Sequence, residues 1–260
     1  MAGISGWLNQ RLACNRQPFP CMHWKPFLFI ALNLGLLAFL LFDGPVVAAA
    51  GQIPSQVRSL GRFLTDLGTS GWILIGAAIL FFQSWAAARM MRCARERYHA
   101  LVLAHISAYV FLAIALSGLS VNLLKRIVGR ARPTNFEEWG TFGFFPLAGN
   151  SRFESFPSGH STTIGALFMA LALLAPGYRM PLAVMAVWMA MTRVMVGAHY
   201  PSDVIWGLAY GAWFALATAI VFSRYRLVFR CIPGGLPMPR HRLFGAGRIS
   251  GPGLRAITIA

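Results

Sequence analysis

Charge is scarce in this chain. Only 12% of its 260 residues are charged and 57% are hydrophobic. Soluble domains carry roughly 25% charged residues, so an ordinary soluble domain is excluded. The apolar residues instead come in runs near the ~20 needed to cross a bilayer. Acid is scarcer still, with seven Asp and Glu against 23 Lys and Arg, a formal charge of +16. Such a balance can mean nucleic acid, but the basic clusters flank apolar runs. They therefore speak for membrane topology and anionic headgroups, with no nucleic-acid partner. Cysteine is limited to Cys14, Cys21, Cys93 and Cys231. None forms a Cys-x-x-Cys pair, which argues against a zinc site. All four fall in segments assigned below to the cytoplasm, where free thiols are expected.

Six apolar segments follow one another: 27–42, 71–88, 99–124, 161–175, 181–196 and 201–222. The sequence thus predicts an all-α, polytopic bundle of six transmembrane helices. A cytoplasmic segment, 1–26, precedes it. The spans fill 27–222, and a basic, Gly- and Pro-rich cytoplasmic tail, 223–260, is expected to be poorly ordered. Ala48-Ala49-Ala50 resembles a small-residue cleavage site, but the apolar run before it is long for a signal peptide and reads as a retained helix. The polar connection 51–70 has room for an amphipathic surface helix. His105, inside the third span, reads as a packed, neutral residue. Most of the basic residues lie in the N-terminal segment, the second and fourth loops and the tail. The positive-inside rule puts those in the cytoplasm and the remaining loops on the opposite, periplasmic face.

Three polar islands interrupt the oil, all on that opposite face. The first runs Lys125-Arg126-Ile127-Val128-Gly129-Arg130-Ala131-Arg132-Pro133, the second is Pro157-Ser158-Gly159-His160, and the third holds Thr192-Arg193, His199 and Asp203. Arginine meets a phosphate with a planar fork of donors and lysine with a compact charge. If the third helix continues, Lys125 and Arg132 stand two turns apart on one face. With Arg193 they can enclose a phosphoryl group and offset the charge of its transition state. Arg126 and Arg130 read instead as snorkelling interfacial anchors. Ser158 and the amide of Gly159 open the fourth span, where helix N–H groups favour an anion, and Ser158 can also cap that helix. His199 and Asp203 have the i, i+4 spacing that brings them together. Asp203 reads as the one acid that abuts the start of a span outside a plain loop or turn. Its carboxylate can hold one imidazole nitrogen protonated and leave the other as a nucleophile. His160 can then serve as general acid, and later as general base toward water. The surrounding arginines oppose a bound cation, so no metal and no cofactor are expected. The aromatic loop 136–156, with Glu137, Glu138 and Glu154, suits either a membrane interface or a wall around a headgroup.

With these islands the chain resembles the type 2 phosphatidic acid phosphatase superfamily, whose pattern is Lys-x6-Arg-Pro, Pro-Ser-Gly-His, and Ser-Arg-x5-His-x3-Asp. The first two motifs match at Lys125, Arg132 and Pro133 and at 157–160. The third matches at Arg193, His199 and Asp203, with Thr192 where the family usually has serine. The resemblance implies a bundle of the phosphatase/haloperoxidase type and a phosphohistidine mechanism. His199 would be the nucleophile, Asp203 its partner and His160 the general acid. Lys125, Arg132, Arg193, Ser158 and Gly159 would bind phosphate. The vanadium haloperoxidases of the same superfamily look mostly soluble, and the spans here argue against that activity.

The resemblance further implies a bacterial inner-membrane enzyme acting on an amphiphile: lipid A, undecaprenyl pyrophosphate, phosphatidylglycerol phosphate or phosphatidic acid, with lipid A mildly preferred. Two rivals share the sequence. A lipid phosphotransferase would use the same intermediate with another acceptor. A non-catalytic lipid-binding or transport protein would need a decayed site, which the intact His160, His199 and Asp203 oppose.

Overall fold

The computed structural model describes residues 4–13, 24–50, 53–66, 68–232 and 234–240. A short helix, α1 (Ile4–Ala13), precedes α2 (Trp24–Leu41), α3 (Asp43–Ala50) and α4 (Ser55–Asp66). Then come α5 (Ser70–Met90), α6 (Ala94–Val128) and the single turn α7 (Phe136–Trp139). The chain closes with α8 (Gly159–Leu174), α9 (Arg179–Met195) and α10 (Pro201–Arg224), followed by β1 (Phe229–Arg230) antiparallel to β2 (Met238–Pro239).

Helices α2, α5, α6, α8, α9 and α10 stand at the six expected spans. Four stretches are long and apolar enough to cross a membrane: Trp24–Leu41, Ser55–Met90, Ala94–Val128 and Pro201–Arg224. Helix α8 is apolar but shorter, at 16 residues. Large apolar side chains such as Phe29, Leu40, Ile75, Phe82, Leu119 and Trp188 face outward. In water such a surface would be unfavourable, whereas in lipid it is the expected outer face, since helices satisfy their own backbone. Helix α4 fills the expected amphipathic connection.

The centre of the bundle is the contact of α8 with α10, and small residues make it possible. A β-carbon on Gly211 would stand 1.9 Å from the Thr162 carbonyl oxygen, and one on Gly165 would stand 2.3 Å from that of Leu208. Closer to the helix starts, one on Gly207 would stand 2.6 Å from the Ser158 carbonyl oxygen. Backbones can therefore touch where larger residues would hold them apart. Both helices begin at the same end of the bundle, so this contact sets the N-terminus of α8 beside that of α10. At the other end Tyr109, Leu173, Ala215, Phe222 and Phe229 form the largest buried cluster. The Tyr109 hydroxyl donates to the Ala215 carbonyl at 3.0 Å.

Several expectations need correction. The described part of the tail carries the β1–β2 ribbon and buries Val228 and Phe229 against Tyr109. Apolar residues there find a core to enter, and residues 241–260 lie outside the described residues. The N-terminal segment is tied to that ribbon's approach, since Arg11 Nη1 donates to the Arg226 carbonyl at 2.9 Å. Trp7 stacks on His105, whose Nδ1 lies 2.6 Å from the Leu101 carbonyl oxygen. Cys93 is free and exposed, but Cys231 is disulfide-bonded rather than free, and its Sγ lies 3.1 Å from Ser223 Oγ. Cys14 and Cys21 lie outside the described residues.

Candidate active site

Helix α6 does not continue to Arg132. It ends at Val128, because Gly129 takes the left-handed conformation (φ 64°) and closes the helix with its N–H on the Lys125 carbonyl. Glycine meets this geometry without strain, and here it is also required by space. A β-carbon would stand 1.9 Å from the Phe145 carbonyl oxygen. After the turn, residues 129–131 run antiparallel to 143–145, through Phe145 N–H to Gly129 O (2.7 Å) and Ala131 N–H to Gly143 O (2.8 Å). Lys125 and Arg132 are thus brought to the site by a helix end and a loop strand, not by one helical face. The Arg132 Nε donates to the Ser151 carbonyl at 2.9 Å.

Ser158 caps α8, its Oγ accepting from the Ser161 amide at 3.4 Å and the Ser161 hydroxyl at 2.9 Å. Its own amide donates to the Asp203 carbonyl at 3.1 Å, joining the starts of α8 and α10. Lys125 lies against this turn: a β-carbon on Gly159 would stand 3.3 Å from its Nζ. The charged or titratable groups bearing on His160 are Arg193, His199, Lys125 and Arg132. Arg193, near the end of α9, donates from Nη1 to Thr65 Oγ1 of α4 at 3.1 Å. Its Nε is buried with no hydrogen-bond partner among the described residues. Thr192, the departure from the family pattern, spends its hydroxyl on the Met189 carbonyl of its own helix at 2.6 Å.

His199 sits in the turn between α9 and α10 and is buried. Its Nδ1 stands 3.7 Å from Asp203 Oδ2, within ion-pair reach but longer than a hydrogen bond. Burial holds its pKa down to about 4. Asp203 opposes that shift, and Arg193 and Arg132 reinforce it. The imidazole is therefore uncharged at neutral pH. Asp203, fully buried in the first turn of α10, accepts from Ser155 Oγ at 2.5 Å and from the Tyr200 amide at 3.1 Å, both on Oδ2. Its Oδ1 accepts from Arg130 Nη1 at 2.5 Å.

Arg130 was expected to be a snorkelling anchor and is the opposite. It is 1% exposed and lies between two fully buried carboxylates, Asp203 and Asp43. Its Nη2 donates to Asp43 Oδ2 at 2.7 Å and its Nη1 to Ser202 Oγ at 2.8 Å. Tyr200 and Phe39 cover the guanidinium, with ring centres 4.0 and 4.9 Å from Cζ. The loop strand that ends α6 turns Arg130 inward, which its sequence neighbours do not reveal. Asp43, which the sequence reading did not single out, is the second buried carboxylate here. It opens α3 and binds the first turn of α10, accepting from the Ser202 amide (3.0 Å) and hydroxyl (2.5 Å). Arg126, by contrast, is exposed and lies 3.7 Å from Glu154. The aromatic loop divides. Trp139, Phe145 and Phe153 cluster among themselves, Phe142 packs edge-on to Phe39, and the Tyr200 hydroxyl ties the loop to α10 through the Gly140 carbonyl at 3.1 Å.

All eight residues selected from the islands thus come to one end of the bundle. Known proteins resemble this chain over most of its length. The PAP2 superfamily model matches residues 107–227. A lipid A 1-phosphatase of Rhizobium johnstonii is 51% identical over 237 residues, covering 91% of this chain and 96% of that protein. One from Rhizobium etli is 50% identical over 225 residues, covering 86% and 96%. Among solved structures, a transmembrane PAP2 type phosphatidylglycerolphosphate phosphatase from Bacillus subtilis superposes with a TM-score of 0.53. It covers 75% of this chain and 94% of that one at 22% identity, a likeness of fold alone.

Proposed function

The chain belongs to the PAP2 superfamily, and from that premise we propose that it is a membrane lipid phosphatase that removes the 1-phosphate of lipid A. The observation that carries the chemistry is the convergence of two imidazoles, one buried carboxylate and three cations from four helices, the loop after α6 and the turn before α10. The choice of lipid rests on the relatives named above, about half identical over nearly their whole length.

In this reading Lys125, Arg132 and Arg193, with Ser158 and the Gly159 amide at the start of α8, hold the phosphate. His199 Nε2 attacks phosphorus. The N–P bond forms as the P–O bond to the lipid breaks, and His160 gives its proton to the leaving oxygen. Asp203 balances the imidazolium so created. Water then attacks the phosphohistidine, His160 takes a proton from it, the N–P bond breaks and phosphate leaves. The cations act mainly on the charge spread over the phosphoryl oxygens. The apolar flanks of the bundle keep the lipid's chains in the bilayer while its headgroup enters the site. The excess of basic residues in the N-terminal segment, the second and fourth loops and the tail supports termini in the cytoplasm and a site in the periplasm. One observation runs against that orientation: Cys231 is disulfide-bonded, a bond typical of oxidising compartments.

The test is phosphate release by detergent-purified protein from lipid A, undecaprenyl pyrophosphate, phosphatidylglycerol phosphate and phosphatidic acid, with EDTA present. Release from lipid A is expected to lose roughly 10³-fold or more in kcat in His199→Ala and about 10²- to 10⁴-fold in His160→Asn. Unchanged release in His199→Ala overturns the mechanism, and release from another lipid alone overturns the substrate.

A further inference from the structure

Every oxygen of the Asp203 carboxylate is committed. Oδ2 takes the Ser155 hydroxyl and the Tyr200 amide and faces His199. Oδ1 takes Arg130. A fully buried carboxylate tends to take up a proton, and a protonated Asp203 could no longer accept the proton on His199 Nδ1. Arg130 opposes that by its charge, and its bond to Oδ1 fixes the rotation that turns Oδ2 toward the imidazole. Arg130 is in turn held by Asp43, which also clamps Ser202 at the first turn of α10.

The charges matter as much as the geometry. Arg130 and Asp203 alone form a neutral pair, and Asp43 adds one negative charge inside the protein. Lys125 and Arg132 also bear on Asp203 by charge, and His199 adds to them when it turns cationic. Two buried acids around one arginine cost desolvation that apolar residues of similar volume would not. On the phosphohistidine reading above, the arrangement has a use.

We propose that Asp43 and Arg130 are positioning residues for the reaction. They keep Asp203 ionised and aimed at His199 Nδ1, so that Nε2 carries the lone pair and Asp203 faces the imidazolium as it forms. Neither touches the phosphate. Both act through Asp203.

The experiment compares Asp43→Asn, Arg130→Lys and Arg130→Gln with wild type in two ways. Kinetics on lipid A are expected to show kcat falling about 10- to 100-fold in Asp43→Asn with KM nearly unchanged. The ordering expected is wild type, then Arg130→Lys, which keeps the charge without the fork, then Arg130→Gln. In an Asp203→Asn background, Asp43→Asn should cost nothing further, because the group it acts through is gone. A full additional loss there overturns the proposal. The second measurement is the imidazole ¹⁵N spectrum, with the His199 signals identified by their loss in His199→Ala. Wild type should show Nδ1–H, whereas Asp43→Asn and Arg130→Gln should show a mixture of tautomers. An unchanged tautomer together with kcat within twofold of wild type overturns the positioning role. If wild type releases no phosphate, the phosphatase reading falls while the spectrum still decides the positioning. Should Asp43→Asn fail to fold, as judged by elution and melting, Arg130→Lys carries both measurements.

Discussion

At the scale of the residue, His199 is held uncharged by its surroundings. Its pKa lies at about 4 against an ordinary 6.5, with burial the first cause. The substrate-free protein should therefore show the His199 ring signal titrating near pH 4 by NMR, identified against His199→Ala. The sign of the linked stability follows. Between about 6.5 and 4 the unfolded chain binds a proton at this position that the folded chain refuses. Acidification through that window should lower the melting temperature of wild type more than that of His199→Ala. Titration at the ordinary histidine value would sink this account. The motif residues were legible from sequence because each motif carries its chemistry in a few consecutive positions. Asp43 and Arg130 were not, because their partners are 87 and 73 residues away. An Asp-Gly-Pro after an apolar run reads as a turn, and an arginine beside two others reads as surface. Only the fold shows that they meet.

At the scale of the element, the contact between α8 and α10 positions both histidines. Gly211→Ala places a methyl group where the Thr162 carbonyl oxygen already lies. The helices must part, which should cost up to about 3 kcal/mol, the upper range for overpacking. A lowered melting temperature in detergent and a parallel loss of phosphate release would check it, and a variant as stable as wild type would show that the two helices can slide. The helices themselves were legible as apolar runs bounded by Arg, Gly and Pro. What hydropathy could not give was the end of α6. The Lys125–Arg132 spacing fits two helical turns as well as a helix end with a left-handed glycine. Only the pairing of 129–131 with 143–145 separates them. Nor does polarity mark α4 as a support for Arg193, since Thr65 and its partner lie 128 positions apart.

At the scale of the whole molecule, orientation is the open contest between basic loops and the Cys231 disulfide. Cys93 is free and exposed between α5 and α6, on the side assigned to the cytoplasm. A membrane-impermeant maleimide should leave Cys93 unlabelled in intact spheroplasts and label it in inverted vesicles. A cysteine introduced as Phe142→Cys, in the exposed part of the aromatic loop, should do the reverse. The opposite pattern would turn the site to the cytoplasm and favour the disulfide's message. In the described part of the tail, Val228 and Phe229 had a core to complete, which Gly and Pro content alone does not reveal.

The buried charge network also has a consequence in time. Asp43 stands at the end of the first long helix, Arg130 after the third, and Asp203 at the start of the last. In chain order the first carboxylate and the arginine, which together form a neutral pair, both precede α10. The second carboxylate arrives only with α10, and with it the imidazole it serves. On the reading proposed above, a chain cut short before α10 lacks the second carboxylate and should release no phosphate. Phosphate release would then begin only with the final helix, and an unfinished chain would leave the membrane's lipids untouched.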